Sequence, residues 1–218
     1  MLPLRDVNPP SRRPLVTYGL IAVNVLVFVQ EASLGNGVED FLNDWGLVPA
    51  HFTAETLLTS MFLHGGVSHL LGNMWFLHVF GDNVEDRLGR LRYLIFYLLS
   101  GCAAGVAQYL ADPTSQAPMV GASGAIAGVT GAYLLFFPRA RVQALGPLLF
   151  SVEMPAYVFL LFWLVMQIQG GCSTVHGAGP GVAFFAHIGG FAAGAALALV
   201  LTGGAPLTHR AEARNDWI

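Results

Sequence analysis

Six long apolar segments, separated by more polar stretches, constrain this chain more than any other feature of its sequence. An α-helix needs about 20 mainly apolar residues to cross a bilayer, with a range of about 17–25. The segments are 15–30, 66–81, 91–111, 121–137, 147–169 and 181–203. We therefore predict an all-α membrane protein, folded as a compact bundle of six transmembrane helices. This domain is expected to cover 15–203, with tails at 1–14 and 204–218.

The composition agrees with a membrane environment and excludes several other classes. Hydrophobic residues make up 55% of the chain and charged residues only 11%, whereas soluble domains carry about 25% charged residues. The net charge of −3 argues against nucleic acid as a partner. The two cysteines have no CxxC spacing, so neither a disulfide framework nor a structural zinc site is expected. We predict no cofactor.

The positions of the basic residues predict an orientation. All ten are arginines, and they lie in the two tails and in or at the edge of the second and fourth connections between the predicted spans. These residues are Arg5, Arg12, Arg13, Arg87, Arg90, Arg92, Arg139, Arg141, Arg210 and Arg214. With six spans, every arginine falls on one side, which the positive-inside rule places in the cytoplasm. Both termini are therefore expected to be cytoplasmic.

Several polar side chains lie within or beside these apolar segments. Ionisable groups inside a membrane are costly and are functional candidates by default. His69 and Asn73 are four residues apart, so they share one face of a helix, and His64 lies just before that segment. Ser123 begins the fourth span and His187 lies in the sixth. In the predicted topology all five fall at similar depth in the outer half of the membrane.

These residue types suit nucleophilic catalysis. A serine hydroxyl is a weak nucleophile until a base takes its proton, and neutral imidazole suits that task. The oxyanion of the tetrahedral intermediate needs donors, each worth about 3–4 kcal/mol. The amide of Ser123 at a helix N-terminus and the side chains of His69 and Asn73 could supply them. No acidic residue is expected at matching depth, so the predicted arrangement is a Ser-His dyad.

Three motifs occur in order along the chain and give it a family resemblance. They are HxxxN at 69–73, GxSG at 121–124, and His187 followed by Gly190 and Gly194. Together they resemble the rhomboid family of intramembrane serine proteases, over about residues 15–203. The turn at 85–89, with sequence EDRLG, resembles the polar turn that follows the second helix of that family.

The resemblance implies a function and residue roles. Ser123 would be the nucleophile and His187 the general base, with His69, Asn73 and the Ser123 amide as the oxyanion site and His64 as a nearby support. The substrates would be single-span transmembrane proteins cut near the outer membrane face, with lipid as the other partner. No metal is implied, the oligomeric state stays open, and the compact form is typical of the bacterial cytoplasmic membrane.

Two positions depart from the family pattern. Many members carry a Trp-Arg pair in the first loop, where this chain has Glu55 and Thr56, so we expect this loop to be anchored differently. Some members have a tyrosine four residues after the serine that packs against the histidine, but Ala127 occupies that position here. The sequence therefore does not indicate which residue orients His187.

Other interpretations of the same residues are possible. Small residues allow close helix packing, so Ser123, taken alone, could be a packing residue. Gly190 and Gly194 are expected to pack the sixth span against the fourth. A metal site on the histidines is disfavoured because no HExxH occurs. A non-catalytic rhomboid-like binding or quality-control factor is the main functional alternative, and a small transporter or channel is the other.

Two further expectations concern local contacts. Glu85 and Arg87 are predicted to form a structural ion pair near the cytoplasmic face. The glycine-rich stretch 170–180 is predicted to be a lid over the site.

Overall fold

The computed structural model describes residues 2–146, 150–175 and 183–203. Within these ranges the chain forms eight α-helices and one small sheet. The helices are α1 (Leu15–Ser33), α2 (Val38–Trp45), α3 (Ala54–Thr59), α4 (Val67–Leu88), α5 (Arg90–Ala111), α6 (Ser123–Phe136), α7 (Ala156–Val175) and α8 (Phe184–Leu201). The strands are β1 (Leu2–Asp6), β2 (Arg141–Leu145) and β3 (Ser151–Pro155).

Six of these helices overlap the six predicted spans, one helix for each span. The predicted helical membrane fold is confirmed. Four of them, α1, α5, α7 and α8, are long and apolar enough to cross a membrane. Helix α6 is apolar but has only 14 residues. Helix α4 has 22 residues, and its charged residues are confined to its last two turns. The chain is therefore an integral membrane protein, and α6, most of whose residues are buried, is enclosed by the other helices.

Three predicted boundaries are wrong. Helix α4 continues to Leu88 instead of ending at 81, so most of the predicted polar turn at 85–89 is helical. The fifth span begins at Ala156 instead of 147, because Ser151–Pro155 pairs with β2. Helix α7 also continues to Val175, so the first half of the proposed lid at 170–180 is helical. The remainder of that lid, 176–180, and the tail at 204–218 lie outside the described residues.

The first loop has its own structure and its own anchors. It holds α2 and α3, and Thr53 caps α3 by accepting a hydrogen bond from the Thr56 N–H at 3.2 Å. Leu47 is fully buried and pairs with Met119 through two backbone hydrogen bonds of 3.0 and 2.8 Å. This loop is thus held by backbone pairing to the segment that precedes α6.

The sheet was not predicted from the sequence. Its strands are antiparallel in the order β1-β2-β3, and they lie at the end of the bundle where α4 and α6 finish. Asp6 accepts hydrogen bonds of 2.7 Å from both the Tyr133 hydroxyl and the Asn83 amide. Burial raises the pKa of Asp6 to about 6. These contacts fix the sheet to α6 and α4.

The predicted ion pair between Glu85 and Arg87 is wrong. The Glu85 carboxylate accepts hydrogen bonds from the backbone N–H groups of Val16 and Thr17, at 3.0 and 2.8 Å, and from the Thr17 hydroxyl at 2.8 Å. The Arg87 guanidinium lies over the ring of Phe136 instead. A helix N-terminus has unsatisfied N–H groups and a positive dipole end, so Glu85 serves as a cap for α1 from another helix.

Helix α6 lies at the centre of the bundle and packs very closely against α8. Backbone carbonyls of α6 lie so near Gly190 and Gly194 that a Cβ at either position would overlap Gly124 or Gly128. The prediction that Gly190 and Gly194 are packing residues is confirmed. Because Gly190 is one helical turn from His187 and Gly124 directly follows Ser123, this contact also sets the distance between the two candidate catalytic residues.

Candidate active site

Ser123 lies at the first position of α6, directly after a sharp turn. Gly121 has a φ of +123°, a conformation that favours glycine, and its N–H donates to the Ser60 carbonyl at 2.9 Å. Among the residues that the structure describes, no side chain caps the N-terminus of α6. The N–H groups of its first turn are therefore available to a negatively charged group.

His187 lies on α8 and meets Ser123 across the glycine-lined helix contact. Its Nε2 is 2.8 Å from the Ser123 Oγ, which is hydrogen-bond distance. Both side chains are half-buried, and both line the same cavity. The structure thus brings together the two residues that the sequence nominated as nucleophile and base.

The His187 ring is held by two residues of α7 that the sequence analysis did not single out. The Gln167 Oε1 is 2.7 Å from the His187 Nδ1, and the Trp163 ring centroid is 5.9 Å from that of His187. Ala127 is buried within α6. The available signal was a glutamine four residues after a tryptophan in a mainly apolar span, although Gln169 in the same span had to be told apart from it.

His69 and Asn73 both face the turn that precedes Ser123. A Cβ added at Gly121 would lie 2.8 Å from the His69 Nε2 and 3.5 Å from the Asn73 Nδ2, so only glycine fits there without a shift. The Asn73 Nδ2 is buried and has no hydrogen-bond partner among the residues that the structure describes. Two side-chain nitrogens that can donate hydrogen bonds therefore lie beside the loop that carries Ser123.

His64 lies behind His69, away from the dyad. It is only 2% exposed, and its backbone N–H donates to the Glu31 carboxylate at 3.2 Å. Its ring is edge-on to that of His69, with 5.2 Å between the centroids. Burial, with a smaller contribution from His69, lowers the pKa of His64 to about 4, so the ring is neutral at pH 7. Glu31, one residue past the predicted end of the first span at 30, is a buried residue of α1.

A cavity of about 570 Å³ connects these groups. Its lining includes Ser123, His187, His69, Asn73 and Gln108, together with residues 115 and 117–120 of the segment before α6. Within the described ranges, no three His, Cys, Asp or Glu side chains are grouped so that they could hold a metal ion. A carbonyl group bound in this cavity could be attacked by the Ser123 Oγ. The side chains of His69 and Asn73, on α4, line the same cavity.

Comparison with known proteins gives one consistent result. Residues 51–204 match the family model described as the Rhomboid domain. The chain is 30% identical over 196 residues to the rhomboid protease GluP of Bacillus subtilis, which covers 88% of this chain and 36% of GluP. It is 31% identical over 158 residues to the mitochondrial RHOMBOID-like protein 6 of Arabidopsis thaliana, covering 72% of this chain and 47% of that protein. The matched part is thus less than half the length of either relative.

Proposed function

This chain belongs to the rhomboid family, and on that premise we propose that it is an intramembrane serine protease that uses a Ser123–His187 dyad. The observation that carries the proposal is the 2.8 Å contact between the Ser123 Oγ and the His187 Nε2. A hydroxyl becomes nucleophilic when a neighbouring base accepts its proton, and this geometry suits that transfer. The relative named rhomboid protease, GluP, supports the same activity.

The proposed reaction has two stages. The Ser123 Oγ attacks the carbonyl carbon of the scissile peptide bond while its proton passes to the His187 Nε2. The tetrahedral intermediate collapses, the C–N bond breaks, and His187 gives the proton to the leaving amine. Water then hydrolyses the acyl-enzyme, with His187 again acting first as base and then as acid, so that Ser123 regains its hydroxyl proton.

The oxyanion of each intermediate is proposed to bind near the N-terminus of α6. Donors there are the Ser123 N–H and the side chains of His69 and Asn73. The unpartnered, buried Nδ2 of Asn73 among the described residues supports this assignment, because such a group gains a partner when an oxyanion forms. His64, through its ring contact with His69, is proposed to hold that residue in place.

The proposed substrates are single-span transmembrane proteins cut near the outer end of their helix. An intact helix hides its carbonyl groups in hydrogen bonds, so the substrate must unwind locally before Ser123 can reach one. The arginine distribution supports a membrane domain at 15–203 with both tails, 1–14 and 204–218, in the cytoplasm. The match to a Bacillus subtilis relative supports a bacterial cytoplasmic membrane as the location.

The test is cleavage of a single-span substrate by the purified protein in liposomes. We expect wild-type cleavage and its loss in both Ser123→Ala and His187→Ala, with unchanged melting temperatures. Cleavage that survives Ser123→Ala would refute the assignment. Substrate binding without cleavage in the wild-type protein would favour the non-catalytic binding factor instead.

A further inference from the structure

We propose that Gln167 is a positioning residue that holds the His187 ring in the one tautomer and orientation in which it can accept the Ser123 proton. This inference rests on the proposed protease function and concerns the same site. Neither the family resemblance nor the motifs point to Gln167. The evidence for it is the 2.7 Å contact between its Oε1 and the His187 Nδ1.

A second, longer contact favours one direction of the Gln167 amide. The Gln167 Nε2 lies 3.5 Å from the Trp163 backbone carbonyl, to which it donates a hydrogen bond. Rotating the amide by half a turn would place its oxygen against that carbonyl oxygen, and two acceptors cannot share a hydrogen bond. The Oε1 therefore faces His187, where it can only accept.

The protonation of the imidazole follows in turn. In a neutral imidazole, one nitrogen carries a proton and the other has a free lone pair. A hydrogen-bond partner at one nitrogen therefore determines whether the other nitrogen is protonated. Since the Gln167 Oε1 accepts, the Nδ1 carries the proton and donates. The Nε2 then has a free lone pair directed at the Ser123 Oγ, 2.8 Å away. After proton transfer, the imidazolium keeps its Nδ1–H bond to Gln167.

The surroundings of Gln167 argue against an incidental polar residue. Helix α7 exposes much of its surface, and the neighbours Met166 and Ile168 are 48% and 45% exposed. A glutamine in a membrane helix is costly unless its amide is hydrogen-bonded. Gln167 and Trp163 are four residues apart on one face of α7, and both contact the His187 ring. A neutral amide also supplies an acceptor without placing a charge inside the membrane.

The first experiment compares three single substitutions on α7. Gln167→Met keeps the length of the side chain but removes the acceptor, Gln167→Glu retains an acceptor, and Gln169→Met is the control at an exposed position. For Gln167→Met we expect kcat to fall about tenfold with KM unchanged, equivalent to about 1.4 kcal/mol of activation free energy. Gln167→Glu should keep most of the wild-type kcat, and Gln169→Met should match the wild type. Equal values of kcat for Gln167→Met and Gln169→Met would overturn the proposal.

A second measurement does not depend on proteolysis. In protein labelled with ¹⁵N-histidine, the signals of His187 can be identified by their loss in His187→Ala. We expect an Nδ1-protonated imidazole in the wild type, and a mixture of the two tautomers in Gln167→Met with an unchanged melting temperature. An Nε2-protonated His187 in the wild type would overturn the inference, whatever the activity. Ser123-independent cleavage together with the expected spectra would overturn the protease assignment alone.

Discussion

The contact between α6 and α8 makes a quantitative prediction about Gly190. In Gly190→Ala, the new Cβ would lie 3.0 Å from the carbonyl carbon of Gly124 and would overlap its oxygen, whereas ordinary contacts begin at 3.4 Å. To bring the distance between the new Cβ and the Gly124 carbonyl carbon from 3.0 to 3.4 Å, the helices must separate by about 0.4 Å. The overlap with the Gly124 carbonyl oxygen requires a larger separation. Both partners are backbone atoms, so a side-chain rotation cannot relieve the overlap.

The same displacement acts on the dyad, because Gly190 and His187 are one turn apart on α8. The Ser123–His187 distance of 2.8 Å would lengthen to about 3.2 Å or beyond, at the limit of a hydrogen bond. A misplacement of about 1 Å at a reacting centre can lower the rate by about 10²-fold. Overpacking typically costs about 1–3 kcal/mol of stability. We therefore expect kcat of Gly190→Ala to fall by about 10- to 100-fold, and we expect the variant to fold.

The assay is cleavage of a single-span substrate in liposomes, with the melting temperature measured in the same preparation. Gly19→Ala on α1 is the matched control, since no atom lies within 4 Å of a Cβ placed there. It should retain the wild-type kcat. If Gly190→Ala had both the kcat and the melting temperature of the control, the argument that this glycine contact positions the dyad would be refuted.

Two further predictions concern the opposite end of the bundle. Glu85→Ala leaves the N–H groups at the start of α1 and the Thr17 hydroxyl without their acceptor, so we expect the free energy of unfolding to fall by about 3 kcal/mol in a denaturant titration. The exposed Glu39→Ala should change it by less than about 0.5 kcal/mol, and equal losses would contradict the capping role. The folded-state pKa of Asp6 is raised to about 6 from 3.8, so the folded state holds this proton more tightly and stability should decline as pH rises from about 4 to about 6. Melting temperatures of wild type and Asp6→Asn across this range should show a shallower slope for the variant, and identical slopes would exclude Asp6 as the source.

Much of the architecture could be predicted from local properties of the chain. Apolar segments of spanning length predicted the six long helices, because each segment must satisfy its own backbone in the membrane. The cost of polar groups in that environment directed attention to Ser123, His187, His69 and Asn73 without any knowledge of their neighbours. The small residues at Gly190 and Gly194 likewise predicted the close contact that the structure contains.

The sheet could not be predicted in this way. Strand β1 pairs with a strand about 140 residues later, and the short alternating pattern of β2 does not identify that partner. The fifth span was also placed too early, since the predicted segment 147–169 includes 151–155, which is paired as β3. Similarly, Glu85 and Arg87 are close in sequence, yet the N-terminus of α1 offers the carboxylate three donors at once.

Composition and apolar segment length were enough to predict that this protein lies in a membrane and which polar side chains are costly enough there to be candidates for function. The orientation of those side chains depends on how the helices pack. The residue that holds His187 is Gln167, on a different helix and 20 residues away along the chain. A hydrogen bond between helices depends on their rotation and separation. These are set by packing at glycine contacts such as Gly190 against Gly124, so the sequence near Gln167 and His187 does not show that the two side chains meet.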